Sequence, residues 1–178
     1  MITLLASQLH WITETDEGTD QCVHGELDFR VGSTVVVAPG SGPWNLTMAG
    51  LYLLRTLESD HTPEQSVAAH NYLIPCCGHS PWIVDGGNTV VCPGCNSGIN
   101  PGVLHVDGQI LLRVDLGHTE TVTANQWRGA VLEFVRAIER FYEQAAPREQ
   151  PVDDLHREGW QAFWEEWRSR RDRARAAG

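Results

Sequence analysis

Four of the chain's five cysteines fall between Cys76 and Cys95, and His79 stands beside the first pair. They form two short clusters, Cys76-Cys77-Gly78-His79 and Cys92-Pro93-Gly94-Cys95. A thiolate is a soft, charged ligand, and two thiolates two residues apart on a tight turn supply half of the tetrahedral set that zinc takes. Cys92 and Cys95 have that spacing. Cys76 and His79 repeat it as a C-x-x-H pair, with 12 residues between the halves. The first candidate set for zinc is therefore Cys76, His79, Cys92 and Cys95. A second register lays Pro75-Cys76-Cys77-Gly78 over Pro93-Gly94-Cys95-Asn96. Cys77 then matches Cys95, Ile74 stands where a ligand is missing, and Cys76 or His79 fills the gap. Cys77 is thus the alternative ligand.

Other cysteine chemistries fit less well. A reactive C-x-x-C thiol is activated by a helix N-terminus or a nearby cation, whereas Cys95 is followed by Asn-Ser-Gly-Ile-Asn-Pro-Gly, which starts no helix of useful length. The spacing matches neither ferredoxin nor Rieske clusters. The zinc deaminase pattern needs H-x-E and then P-C-x-x-C; here Val91 stands where the proline before Cys92 belongs. The knuckles joined by Ser80–Val91, with Gly86-Gly87-Asn88 as the turn, resemble the zinc-ribbon class over about residues 74–98. That resemblance implies a metal-binding hairpin and no particular activity. His70, Asp85 and His105 are the side chains within reach if the metal were catalytic.

The rest of the chain narrows the classes. All 13 basic residues are arginine, so a Schiff-base lysine and a lysine-bearing phosphate loop are excluded. Arginine in place of lysine is also what a GC-rich bacterial genome produces. The formal net charge is −10, and an acidic body repels nucleic acid and most membrane surfaces. Residues 168–178 depart from this, with five arginines against one aspartate; nucleic acid, if engaged, must meet this tail. The start of the chain lacks the pattern of a signal peptide, and no run of 18 apolar residues occurs. These features predict a soluble, cytoplasmic protein.

Hydrophobic spacing predicts the elements that position the cysteines. A strand from Thr3 is followed, after a polar loop, by a hairpin over about Glu26–Ala38, in which Leu27, Phe29 and Val31 alternate. Helical spacing of Leu46, Leu53, Leu54 and Leu57 predicts a core-facing helix capped by Asn45 or Thr47. Asp107-Gly108 suits the tight turn of a second hairpin. A strand near Thr119–Thr123 follows it, then a helix with Trp127, Val131, Phe134, Ile138 and Phe141 on one stripe. The two hairpin-and-helix units flank the cysteines, a pattern of internal duplication. The expected fold is α+β: antiparallel hairpins packed by two amphipathic helices, a central zinc-ribbon-like hairpin and a C-terminal aromatic helix. Residues 1–147 form one domain with the ribbon inserted at 70–100, and residues 148–178 form a linker and a helix docked on it.

That last helix places Trp160, Phe163, Trp164 and Trp167 on one face. Trp160, Trp164 and Trp167, with Arg168, Arg170 and Arg171, are the candidate partner-binding residues. The combination of Pro75-Cys76-Cys77-Gly78 with Cys95-Asn96-Ser97-Gly98-Ile99 and an aromatic C-terminal helix resembles small bacterial proteins of no established activity, which implies an accessory protein. The sequence thus predicts an adaptor, regulator or immunity-type inhibitor that contacts another protein, with a basic or nucleic-acid-handling partner suiting its charge. The alternative is a small zinc enzyme with the metal in a cleft of the central hairpin.

Overall fold

Alternating apolar residues and paired turn residues build the sheets. In the computed structural model, which describes residues 1–12, 21–68, 72–78, 80–84, 89–115, 117–149, 151 and 153–178, β1 (Ile2–Trp11) pairs antiparallel with β2 (Val23–Val31). β2 turns through Gly32, at φ 60°, into β3 (Thr34–Val37). Leu27, Phe29 and Val31 of β2 point into the core, as their period of two requires. The short strand β4 (Trp44–Asn45) pairs with β2 and runs directly into α1 (Leu46–Arg55). Asn45 is the N-cap, its side chain accepting the Met48 N–H.

The second unit repeats this order. β9 (Gly102–Val106), β10 (Gln109–Asp115) and β11 (His118–Thr123) form an antiparallel sheet. The β9–β10 turn has positive φ at both Asp107 and Gly108, the pair of angles a two-residue hairpin needs. β11 runs directly into α2 (Ala124–Gln144), closed by a reciprocal capping box between Thr123 and Gln126. Trp127, Val131, Phe134 and Ile138 are buried, while Phe141 is half-buried.

All ten residues of α1 are buried. An amphipathic helix on one sheet would expose its far side; here α3 (Asp154–Ala176) covers it. The Trp167 indole sits directly on Gly50, where a Cβ would overlap the ring. Gly159 meets the Pro81 carbonyl in the same way, so α3 also rests on the segment entering the central hairpin. A buried ion pair fastens this layer: Arg55 donates to both carboxylate oxygens of Glu166, at 2.8 and 2.7 Å, and to the carbonyls of Val67 and Val90. Burial disfavours the Glu166 carboxylate, but hydrogen bonds and charge from Arg55 and then Arg170 outweigh it and hold the group below its ordinary value. The fold is α+β, with the C-terminal aromatic helix part of the core.

Candidate metal centre

Two strand pairs bring the cysteines together. β5 (Ile74–Pro75) pairs with β8 (Gly98–Ile99), and the Cys76 N–H continues the ladder to the Ser97 carbonyl. β6 (Trp82–Val84) pairs with β7 (Thr89–Val91) as a small hairpin. β5 leads into Cys76-Cys77-Gly78 and β7 into Cys92-Pro93-Gly94-Cys95. The two turns then cross almost in contact. A Cβ on Gly94 would lie 2.6 Å from the Cys77 carbonyl oxygen, and one on Gly78, at φ 125°, would lie 3.0 Å from the Cys92 Sγ. Glycine is required at position 94 by the close approach of the Cys77 backbone and at position 78 by its positive φ.

Two buried polar side chains hold this segment to the body. The Asn45 amide uses its oxygen to cap α1 and donates through Nδ2 to the Gly78 carbonyl at 2.6 Å. His61, fully buried, exchanges backbone hydrogen bonds with Val103. Its Nδ1 accepts the Val67 N–H, so Nε2 carries the proton and donates to Asn100 Oδ1 at 2.6 Å. Asn100 Oδ1 also accepts the Leu73 N–H, one residue before β5. Desolvation lowers the His61 pKa against the opposing Asn100 bond, keeping the ring neutral. Neither contact is visible in local spacing; an N-cap signal at Asn45 is all the sequence offers.

The thiols of Cys76, Cys77 and Cys95 lie within 4.8 Å of one another at the surface and can hold a metal ion. Cys76 Sγ is 2.7 Å from Cys95 Sγ, and the Cys95 backbone N–H donates to Cys77 Sγ at 2.9 Å. Such an N–H···S bond favours a sulfur in its anionic state. Without a cation the three thiols share protons unequally. Burial, the Cys95 hydrogen bond and the neighbouring Cys77 charge push Cys76 up to about 12, and burial also raises Cys77. Hydrogen bonds from Cys76 and Cys77 lower Cys95, which is exposed. A cation displaces those protons, since it is the thiolate that ligates.

The grouping differs from the paired C-x-x-H and C-x-x-C set. Cys77 joins Cys76 and Cys95, whereas Cys92 is buried in the hydrophobic core. The reason is strand alternation: Val90 and Cys92 share the inward face of the chain leaving β7, and both are buried. His79, His70, Asp85 and the Gly86-Gly87-Asn88 turn lie outside the described residues. His105 is committed elsewhere, with Nδ1 and its backbone N–H both 2.8 Å from Asp60 Oδ1. On α3, Trp160 and Trp167 are buried, Arg170 pairs with Glu58 and Glu166, and Arg171 pairs with Glu139 and Asp172. Trp164 and Arg168 remain accessible.

Fold and site together define an α+β protein with a surface group of three thiols able to bind metal. Comparison with protein-family models, curated proteins and solved structures finds no match. No helix among the described residues is long and apolar enough to cross a membrane.

Proposed function

We propose that Cys76, Cys77 and Cys95 hold a zinc ion with a structural role, and that the protein is a zinc-ribbon-like accessory protein acting through contacts with another protein. The observation that carries this reading is the convergence of three sulfurs from two crossed turns. Thiolates are the ligands of structural zinc, which closes loops that have little core of their own. The segment fits that description: β5, β6, β7 and β8 contain two or three residues each. Among the described residues the group is made of thiols alone, the donor type common to structural zinc sites. The net charge of −10 supports a basic partner through complementary potentials, with nucleic acid reached only through the arginine tail if at all.

The test is metal content with ligand assignment. Purified protein is expected to hold one zinc per chain. Cys77→Ser is expected to lower affinity sharply, and Cys92→Ser is expected to keep the metal while loosening the core. Protein that carries no zinc and takes none up from a buffered solution sinks the reading. A bound ion that exchanges a water ligand and hydrolyses a substrate moves the assignment to a zinc enzyme.

A further inference from the structure

Of the six α3 residues that could face a partner, the fold absorbs four and leaves Trp164 and Arg168. These two lie one helical turn apart and line the same cleft, of about 380 Å³, together with Trp11, Tyr142, Pro147 and Arg148. That volume falls within the roughly 300–1,000 Å³ of small-molecule sites. Tyr142 sits between the two indoles and is edge-on to each, with centroids 5.3 Å from Trp11 and 4.8 Å from Trp164. Its hydroxyl is fixed from behind by Thr47 Oγ1 at 2.8 Å and by the Gln21 carbonyl. The tyrosine is therefore a rigid floor. Trp11 and Trp164 are half-buried and make no ring contact with each other among the described residues, so each presents part of its surface to the cleft.

Charge decides what such a cleft takes. The Arg148 guanidinium lies 5.2 Å over the Trp11 ring and donates to the Ile12 carbonyl, so it is committed to the wall of the cleft. Arg168 is exposed and makes no ion pair among the described residues, although the other four arginines of the tail do so. A cleft with aromatic walls and one exposed arginine at its edge suits a flat ring joined to an anion. We propose that it binds a mononucleotide, with the base against the Trp11 and Trp164 surfaces and the phosphate at Arg168. Indoles stack every base, because every base offers a π-face. A guanidinium grips phosphate through paired N–H donors. The acidic body favours one nucleotide over a long strand, because repulsion grows with each further phosphate.

The full-length protein can be titrated with AMP while the tryptophan indole N–H resonances are followed by NMR. AMP is expected to move the Trp11 and Trp164 signals and leave the buried Trp127 and Trp167 signals in place. Adenosine, which lacks the anion, is expected to bind about tenfold more weakly, and Arg168→Gln is expected to weaken AMP by about the same factor. Arg168 is solvent-exposed, so this variant tests recognition with the fold intact. No movement of the two indoles up to ~10 mM AMP overturns the proposal. So does equal binding of adenosine, or undiminished binding by Arg168→Gln. A deoxyadenosine oligonucleotide that binds far more tightly than AMP, or without moving these indoles, overturns the assignment to a free mononucleotide.

Discussion

Gly94→Ala tests the geometry of the cysteine crossing directly. The new Cβ would stand 2.6 Å from the Cys77 carbonyl oxygen and 3.1 Å from its carbonyl carbon, where ordinary contact begins at 3.4 Å. The obstruction is backbone, so no rotamer change relieves it. Restoring contact requires the two turns to part by about 0.8 Å. Metal–ligand distances hold to about 0.2 Å, so that displacement takes Cys95 well outside the tolerance of a shared ion. It also stretches and weakens the 2.9 Å bond from the Cys95 N–H to Cys77 Sγ. Disturbing the groups that support metal ligands lowers affinity by up to about 10- to 100-fold. The assay is competition for zinc against a chromophoric chelator, with the metal-free melting temperature measured in parallel. The crossing lies at the surface, so that temperature is expected to move by no more than ~2–4 °C, equivalent to about 1 kcal/mol in a chain of this size. Gly129→Ala, a helical position with nothing within 4 Å, is the control and is expected to stabilise by up to ~1 kcal/mol. If Gly94→Ala binds zinc within about twofold of the parent, the turns are not apposed in the metal-bound protein and the reasoning fails.

Three further outcomes follow from the buried polar groups and the thiols. Arg55→Ala strands Glu166 with Arg170 alone and removes the donors to Val67 and Val90; breaking a buried pair costs about 3–5 kcal/mol, a fall of roughly 6–20 °C in melting temperature, and a fall under ~2 °C speaks against a buried pair. His61 has a lowered folded pKa, so its contribution is complete above its ordinary value of 6.5 and is lost as pH falls toward the folded value; denaturant titrations of His61→Gln should lose that part of the acid slope, and an unchanged slope disproves the role. Cys76 is raised from 9.0 to about 12, so the metal-free protein is expected to lose stability as pH climbs through that window, while zinc affinity rises with pH because fewer protons must leave; an affinity flat from about pH 6 to 8 contradicts thiolate ligation.

Much of the frame is legible in the sequence, because the deciding signals are local. Asp107-Gly108 announces its turn, the stripe of Trp127, Val131, Phe134 and Ile138 announces α2, and Leu27, Phe29 and Val31 show which face of β2 is inward. What stays hidden depends on contacts between distant segments. The leucine spacing of α1 predicts one apolar face, yet every residue of that helix is buried because α3 returns to cover it. The cysteines show the same division. Residue counting pairs Cys92 with Cys95, whereas among the described residues Cys77 is the thiol grouped with Cys76 and Cys95, and Cys92 shares the buried face of Val90. The ion pair of Arg55 and Glu166, 111 residues apart, has no sequence signature at all.

The amide of Asn45 serves two elements at once, its oxygen on α1 and its nitrogen on Gly78. Among residues that cap helices well, serine, threonine and aspartate can supply the oxygen, but none has an amide N–H₂ to give. Hydrolysis of this one amide to a carboxylate would leave the helix start satisfied and turn an attraction at Gly78 into repulsion between two acceptors. Ageing chemistry at a single buried atom would therefore release the cysteine turn while the helix beneath it kept its shape.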